Sequence, residues 1–388
     1  MEVIGKMSPE RAPFSSLSLQ VGNLGILAME SCRDLAQKVD GWLQESRAEL
    51  MGGKSHSYLI KSRCPRFGNG EAKGIIDESV RGKDLFILID VGNYNCTYNF
   101  MGRQNAMSPD DHFQDLKRII SAVGGKAKRI NVIMPFLYGG RQHKRVSRES
   151  LDCAVALHEL ENLNVENIIT FDAHDARVQN AIPFTGFENM MPHYQFVKAL
   201  LNEVPDIKID KDNLMIVSPD EGGIHRNIYY SSLFGVDLGV FYKRRDFSRV
   251  VNGRNPIVAH EFIGGDVEGK DVIVVDDMLS SGDSVLDIAQ ELKRRKARRL
   301  FVAVTYALFT EGVDPFVKAY EEGLIDKIFA TNLTYRRPEL AKAEWFAEVD
   351  MSKYIAKIID CLNYDESLSN LIDPSQRITN LMEKFHAR

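Results

Sequence analysis

The chain has 388 residues, 44% of them apolar and 27% charged, with a formal charge of −5 at pH 7. This length exceeds one ordinary domain and leads us to expect two α/β domains, while the negative balance argues against general nucleic-acid affinity. No run approaches the roughly 18 uninterrupted apolar residues of a membrane span, and the five cysteines, an odd and widely spaced set without a C-x-x-C pair, point to neither a disulfide framework nor a zinc site. A reduced, cytoplasmic setting is expected.

Residues 1–19 read as an N-terminal extension without a continuous apolar core. Strand-like runs then recur at Asp84–Asp90, Arg129–Met134, Asn167–Asp172, Asn213–Ser218, Leu238–Lys243, Asp271–Asp277 and Leu300–Tyr306. Helical spacing marks Glu149–Asn162, Ser284–Arg295 and Met351–Leu362. Strands alternating with helices predict mainly parallel sheets covered by helices on both faces. The expected division is 20–187 for one domain and 188–372 for the next, with a C-terminal extension over 373–388. Between Asp246 and Gly265, Asn252-Gly253 is a strong hairpin signal, and the basic residues before it, Lys243 and Arg245 among them, would ride on such a flap. A second basic run, Arg141–Arg148, can also attract phosphate; Lys293–Arg299 reads as a helix end opposing its own dipole.

The most informative stretch is Asp271–Ser284, D-V-I-V-V-D-D-M-L-S-S-G-D-S. Its apolar β-branched start reads as a strand buried on both faces, with Asp276 and Asp277 at the carboxyl end. Ser280, Ser281, Gly282, Asp283 and Ser284 then form a small-residue turn ahead of a helix, where backbone N–H groups and the helix dipole favour an anion. Carboxylates cannot hold a phosphate directly, so the acid pair suits ribose hydroxyls and Mg²⁺. The plain alternative is a strand, a turn and an N-capping Ser284. The stretch resembles the phosphoribosyl-binding loop of the type I phosphoribosyltransferase fold, which serves base phosphoribosyltransferases, regulators and synthases of the activated sugar.

The ordered set of motifs narrows this. R-F-G-N-G-E at Arg66–Glu71, E-S-V-R-G-K-D at Glu78–Asp84, M-P-F-L-Y-G-G-R-Q-H-K-R at Met134–Arg145, F-D-A-H-D at Phe171–Asp175, V-S-P-D-E-G-G at Val217–Gly223, Y-K-R-R at Tyr242–Arg245 and D-E-S-L-S-N-L at Asp365–Leu371 follow one another in a sequence that resembles the ribose-phosphate pyrophosphokinase (PRPP synthetase) family. The resemblance implies two type I phosphoribosyltransferase-like domains and a Mg²⁺-dependent transfer of the diphosphoryl group of ATP to the C1 hydroxyl of ribose 5-phosphate, giving PRPP and AMP. It also implies a homo-oligomer, dimer or hexamer, with ATP held across a subunit boundary. Carried over residue by residue, it places Phe67, Asn69, Glu71, Arg141 and Gln142 at ATP and Lys243, Arg245 and His174 at the transferring group. His174, Asp220, Asp276 and Asp277 would serve the metal. Asp276, Asp277 and the Ser280, Ser281, Gly282, Asp283, Ser284 loop would hold the ribose phosphate.

Departures keep alternatives open. Asn69 stands where the family has aspartate, His143 follows Arg141-Gln142 where it has aspartate, and Asp283 adds an acid to the phosphate loop. An acid there would repel a dianionic monoester if it turned inward, which motivates an acceptor with an esterified 5-phosphate such as ADP-ribose. The segment Val91–Pro109 is longer than the family's, and Tyr94, Tyr98 and Phe100 within it suit either a base contact or, by the plainer reading, packing at a subunit contact. A non-catalytic regulatory homologue is the competing class, opposed by retention of His174, Asp220, Lys243, Arg245, Asp276 and Asp277.

Overall fold

The computed structural model describes residues 19–48, 53, 56–245 and 257–387. The continuous apolar runs become strands with almost every residue buried, as in Lys83–Leu88, Arg129–Ile133, Leu214–Ser218 and Asp271–Leu279. They form two large sheets. From edge to edge the first is Gly186–Met190, Asn167–Phe171, Arg129–Ile133, Lys83–Leu88, Asn23–Ala28 and Leu59–Ile60, all paired in parallel. The second is Ile257–Ile263, Asp237–Arg245, Leu214–Ser218, Asp271–Leu279, Arg299–Ala307, Lys327–Thr331 and Phe346–Val349, parallel except for the antiparallel hairpin at its first edge. The expected α/β class therefore holds. So does the hairpin, whose Asn252-Gly253 tip lies outside the described residues.

Side-chain alternation along the strands explains how the halves join. Ile26, Phe86, Leu88, Ile133, Ile169 and Phe171 of the first sheet share one apolar layer with Ile216, Ile273, Val275, Phe301, Ala303 and Phe329 of the second. The helices Arg33–Ala48, His193–Glu203, Ile224–Phe234 and Ser352–Asn363 fill that layer. The opposite faces build separate cores, Leu27, Leu85, Ile87 and Val132 with the helices Pro109–Val123 and Asp152–Asn162 in one, and Met215, Val272, Val274 and Val302 with Asp283–Arg294 and Asp314–Glu321 in the other.

The chain leaves the first sheet at Met190 and enters His193–Glu203, which packs on the second. It also returns. Ser352–Asn363 packs along Arg33–Ala48, where Arg47 bonds Asp360 at 2.7 Å, and Asn363 reaches the buried Asp84 carboxylate at 2.9 Å. Arg129 holds the same carboxylate through two nitrogens at 2.8 Å. Within 373–388, Ser375–His386 is a helix laid against His193–Glu203, with the Arg377 guanidinium 4.2 Å from the Tyr194 ring centre.

Two element ends differ from expectation for local reasons. The helix expected from Glu149 starts at Asp152, because the Glu149 carboxylate takes the Ser147 hydroxyl and the Val146 N–H in a competing turn. The strand expected to end at Asp277 continues to Leu279, so the acid pair sits inside the last turn of pleat rather than beyond it. Among the described residues no helix is long and apolar enough to cross a membrane.

Asp90, just past Lys83–Leu88 and 2% exposed, ties the halves further by accepting from Gly92 N, Thr334 Oγ1 and Tyr335 N. Burial outweighs these bonds and pushes its carboxyl up to about 7. A carboxyl raised on folding binds more protons in the folded state, so its contribution to stability declines as pH rises from about 4 to about 7 and is level beyond. In urea titrations the stability of the native protein relative to Asp90→Asn is therefore expected to fall between about pH 5 and about pH 7.5. A difference independent of pH would show that Asp90 is not the titrating group.

Candidate active site

The carboxyl ends of the two sheets meet, and the chemistry-bearing residues stand there. Phe171–Asp172 ends a strand of the first sheet, with Asp172 at φ 42 and its N–H on Met190 O. That turn, fixed by Ala173 N donating to Asn189 Oδ1, projects His174 across the gap. Its Nδ1 lies 2.7 Å from Asp277 Oδ2 on the second sheet, and Asp277 N donates to Asp276 Oδ1 at 2.9 Å. Tyr306, fully buried, closes the seam from the second sheet by sharing its single hydroxyl hydrogen between Pro135 O at 2.5 Å and Phe171 O at 2.6 Å.

Asp220 sits in the turn between Leu214–Ser218 and Ile224–Phe234 and accepts from Gly223 N at 3.2 Å. Buried Asn227 holds that turn through Ser218 Oγ, Gly223 O and Val275 O. The phosphate loop departs from the plain alternative: the helix begins at Asp283, its cap is Gly282 at φ 95, and Ser284 lies inside the first turn. Asp283 accepts the Ser281 hydroxyl at 2.9 Å, an acid in the first turn where the dipole favours it. The first-turn N–H groups remain available, as at any helix start.

Sequence reading missed Arg226 and the part Asp172 plays. Arg226 Nε and Nη2 fork onto Asp172 at 3.0 and 2.7 Å, Thr305 Oγ1 donates to the same carboxylate at 2.6 Å, and Arg226 Nη1 stands 3.8 Å from Asp276. The signal was present: a cation in the first turn of Ile224–Phe234 opposes the helix dipole and calls for nearby acids. Electrostatics follow the geometry. The hydrogen bond that His174 donates to Asp277 raises the His174 pKa; burial would raise Asp277, yet His174 and Arg226 hold it down to about 2. Burial and then the adjacent Asp277 push Asp276 up, and burial raises Asp172 despite Arg226. Of the pair, Asp277 has the closer cationic partner in His174, while Asp276 faces Arg226 only at 3.8 Å.

Arg141 and Gln142 are exposed on the turn that starts at Gly139. His143 follows, its Nδ1 3.2 Å from Asp175 Oδ2 and its ring centre 5.3 Å from that of His174. Phe67, Asn69 and Glu71 form a self-bonded loop, with Asn69 Nδ2 donating to Glu71 Oε2 at 2.9 Å and Phe67 53% exposed. It lies against the hairpin Thr97–Phe100 and Arg103–Ala106: Met101 N donates to Gly68 O, and the Phe100 ring lies where a Cβ on Gly70 would be. Tyr98 stacks under Arg66, and Tyr94 packs edge-on against Tyr335, so both make contacts within the chain. Lys243 and Arg245 lie on the Asp237–Arg245 strand, beside a bulge between Arg244 and Arg245; their side chains lie outside the described residues. Among the described residues no three His, Cys, Asp or Glu side chains converge as a closed metal cage.

A pair of α/β sheets meeting at acid-bearing strand ends, with a glycine-capped loop leading into a helix, defines a protein of the type I phosphoribosyltransferase-like class. Residues 24–163 match the model of the N-terminal domain of ribose phosphate pyrophosphokinase, and 250–373 the phosphoribosyl synthetase-associated domain. The ribose-phosphate pyrophosphokinase of Shewanella oneidensis is 30% identical over 313 residues, 78% of this chain and 88% of that one. That of Vibrio parahaemolyticus is 28% identical over 331 residues, 84% and 95%. The crystal structure of phosphoribosylpyrophosphate synthetase from Mycobacterium smegmatis superposes with a TM-score of 0.70 at 21% identity, covering 88% of this chain and 99% of that one. The chain belongs to the ribose-phosphate pyrophosphokinase family, a family of diphosphotransferases.

Gly282 allows a direct test of the loop. A Cβ there would overlap the Phe316 ring at Cζ, at a backbone angle side chains rarely adopt. Gly282→Ala should cost about 2–6 kcal/mol, adding backbone strain of about 1–3 kcal/mol to overpacking of similar size. Denaturant unfolding measures it; an unchanged midpoint would mean that loop and ring separate freely.

Proposed function

We propose that the chain transfers the diphosphoryl group of ATP to the C1 hydroxyl of ribose 5-phosphate, releasing AMP and forming PRPP. The observation that carries this reading is the His174–Asp277 contact, which sets a histidine of one half against the acid pair that precedes the phosphate loop of the other. The C1 oxygen forms a bond to the β-phosphorus while the bond from that phosphorus to the α–β bridging oxygen breaks; the bridging oxygen leaves with AMP and the hydroxyl proton passes to solvent. Such a transfer is governed by positioning and by neutralising charge.

In this reading the first-turn N–H groups after Gly282 receive the 5-phosphate, helped by Ser280, Ser281 and Ser284, with Asp283 turned to the Ser281 hydroxyl. Asp276 and Asp277 take the ribose hydroxyls, and His174 exchanges Asp277 for the triphosphate as the ribose enters. Lys243 and Arg245 approach the transferring group from the edge hairpin. Arg141 and Gln142 meet ATP from the Gly139 turn. Phe67, Asn69 and Glu71 lie on a loop with other neighbours in their own chain, which supports a nucleotide site completed by a second copy and hence a homo-oligomer. Asp276, whose carboxyl burial and Asp277 push up, and Asp220 in the neighbouring turn are carboxylates of the kind that fit Mg²⁺, an ion bound through one or two carboxylates, waters and substrate phosphates rather than in a protein cage. When bound, Mg²⁺ supplies charge neutralisation on the phosphate oxygens. The 20–187 and 188–372 domains would carry the ATP and ribose-phosphate sides respectively.

The purified protein should release AMP from ATP with Mg²⁺ and ribose 5-phosphate, with PRPP identified by mass. Parallel reactions with ADP-ribose or without acceptor should give neither. Product from ADP-ribose instead would move the acceptor, and no acceptor-dependent AMP under any metal or phosphate condition would favour a regulatory homologue. Lys243→Ala should lower turnover by on the order of 10²–10³-fold, as loss of one charge-stabilising donor does, with thermal unfolding unchanged. Unchanged turnover would remove Lys243 from the mechanism.

A further inference from the structure

We infer that Arg226 is a positioning residue for diphosphoryl transfer, acting through Asp172 and Asp276 to fix the two strand ends between which the substrates meet; the inference rests on the function proposed above. Arg226 is anchored on the second sheet's side, in the helix Ile224–Phe234. Its fork reaches across to Asp172 at the end of a first-sheet strand, with Nε at 3.0 Å and Nη2 at 2.7 Å. The remaining nitrogen, Nη1, is turned toward Asp276 at 3.8 Å. One rigid, planar group therefore spans the residue two places before His174 and the residue one place before Asp277, the pair that closes the site. Thr305 Oγ1 fills the remaining acceptor direction of Asp172 at 2.6 Å, so the carboxylate cannot swing without breaking bonds to two elements of the second sheet's half.

A purely structural role does not account for this choice of residue. Buried ion pairs can often be replaced by apolar side chains of similar volume with little loss of stability. The seam already carries an apolar layer and the two bonds of Tyr306. What an apolar replacement cannot do is set the angle of Asp172, and with it His174, relative to Asp276. Lysine cannot do so either, because a single ammonium lacks the fixed fork that holds one carboxylate at two points while facing another. Displacing reacting groups by about 1 Å can cost about 10²-fold in rate.

The test compares full-length native protein with Arg226→Lys, Arg226→Gln, Asp172→Asn and the double variant Asp172→Asn/Arg226→Gln. Each is assayed for PRPP formation and for thermal unfolding. Arg226→Lys is expected to keep the KM for ATP within about threefold while kcat falls about 10–100-fold, the split that misplacement of bound groups produces. The single changes at Asp172 and Arg226 should each lower kcat, and the double variant should be no worse than about the poorer single, because both act through one contact. The double variant removes both charges of the Asp172–Arg226 pair together and carries the test if the lysine variant does not fold. Coupling seen in unfolding midpoints, with kcat untouched in the folded variants, would reduce Arg226 to a structural residue and overturn the inference. A native protein that makes no PRPP in the same assay would instead sink the functional reading, and this role with it.

Discussion

The buried pair of Asp172 and Arg226 is the constraint on which the site depends. Removing an aspartate from water at the end of a strand is costly, and burial does raise its pKa despite the arginine. The cost is offset only where the guanidinium and the Thr305 hydroxyl approach from the other half in fixed directions. Asp172 therefore specifies one docking of the two sheets. Every later feature inherits that choice: the left-handed turn at Asp172, the projection of His174, and its contact with Asp277.

Around this polar seam the apolar layer supplies most of the adhesion. Because strand side chains alternate, each sheet presents one face to its own helices and the other to the shared layer, so the halves are not two bodies joined by a linker. The Ser352–Asn363 helix strengthens this by crossing back to the first sheet, where Asn363 joins Arg129 and Asn131 on Asp84. A seam held by Tyr306, Asp90 and Asp172 together leaves little scope for the halves to reorient. On the function proposed above, room for substrate would come from side chains, with the His174–Asp277 bond the one placed to open.

What the sequence disclosed follows from which signals are local. Strands buried on both faces announced themselves as unbroken β-branched runs. Asn23–Ala28 did not, because Gly25 interrupts its run; in the fold that glycine admits the Ile60 side chain, whose Cδ1 lies 2.7 Å from where a Cβ would be. Gly186–Met190, an edge strand with Glu188 and Asn189, had no apolar run to show. The acid pair and phosphate loop were legible as residue types in order. The contacts that give them geometry were not, since Asp172, Arg226 and Thr305 meet only after two sheets have been assembled.

Substitutions at motif positions show the same division between charge and shape. Asn69 replaces a family aspartate two residues before Glu71. An aspartate would face the Glu71 carboxylate across the turn and repel it; the asparagine amide donates to that carboxylate at 2.9 Å while its carbonyl takes the Glu71 N–H at 3.2 Å. The loop thus closes on itself, and Phe100 packs on Gly70 from the neighbouring hairpin. With one negative charge fewer and its polar groups partly satisfied from within, the loop has a less acidic surface than an aspartate at 69 would give it. The hairpin within Val91–Pro109 braces the loop further, because it supplies the backbone bond from Met101 N to Gly68 O.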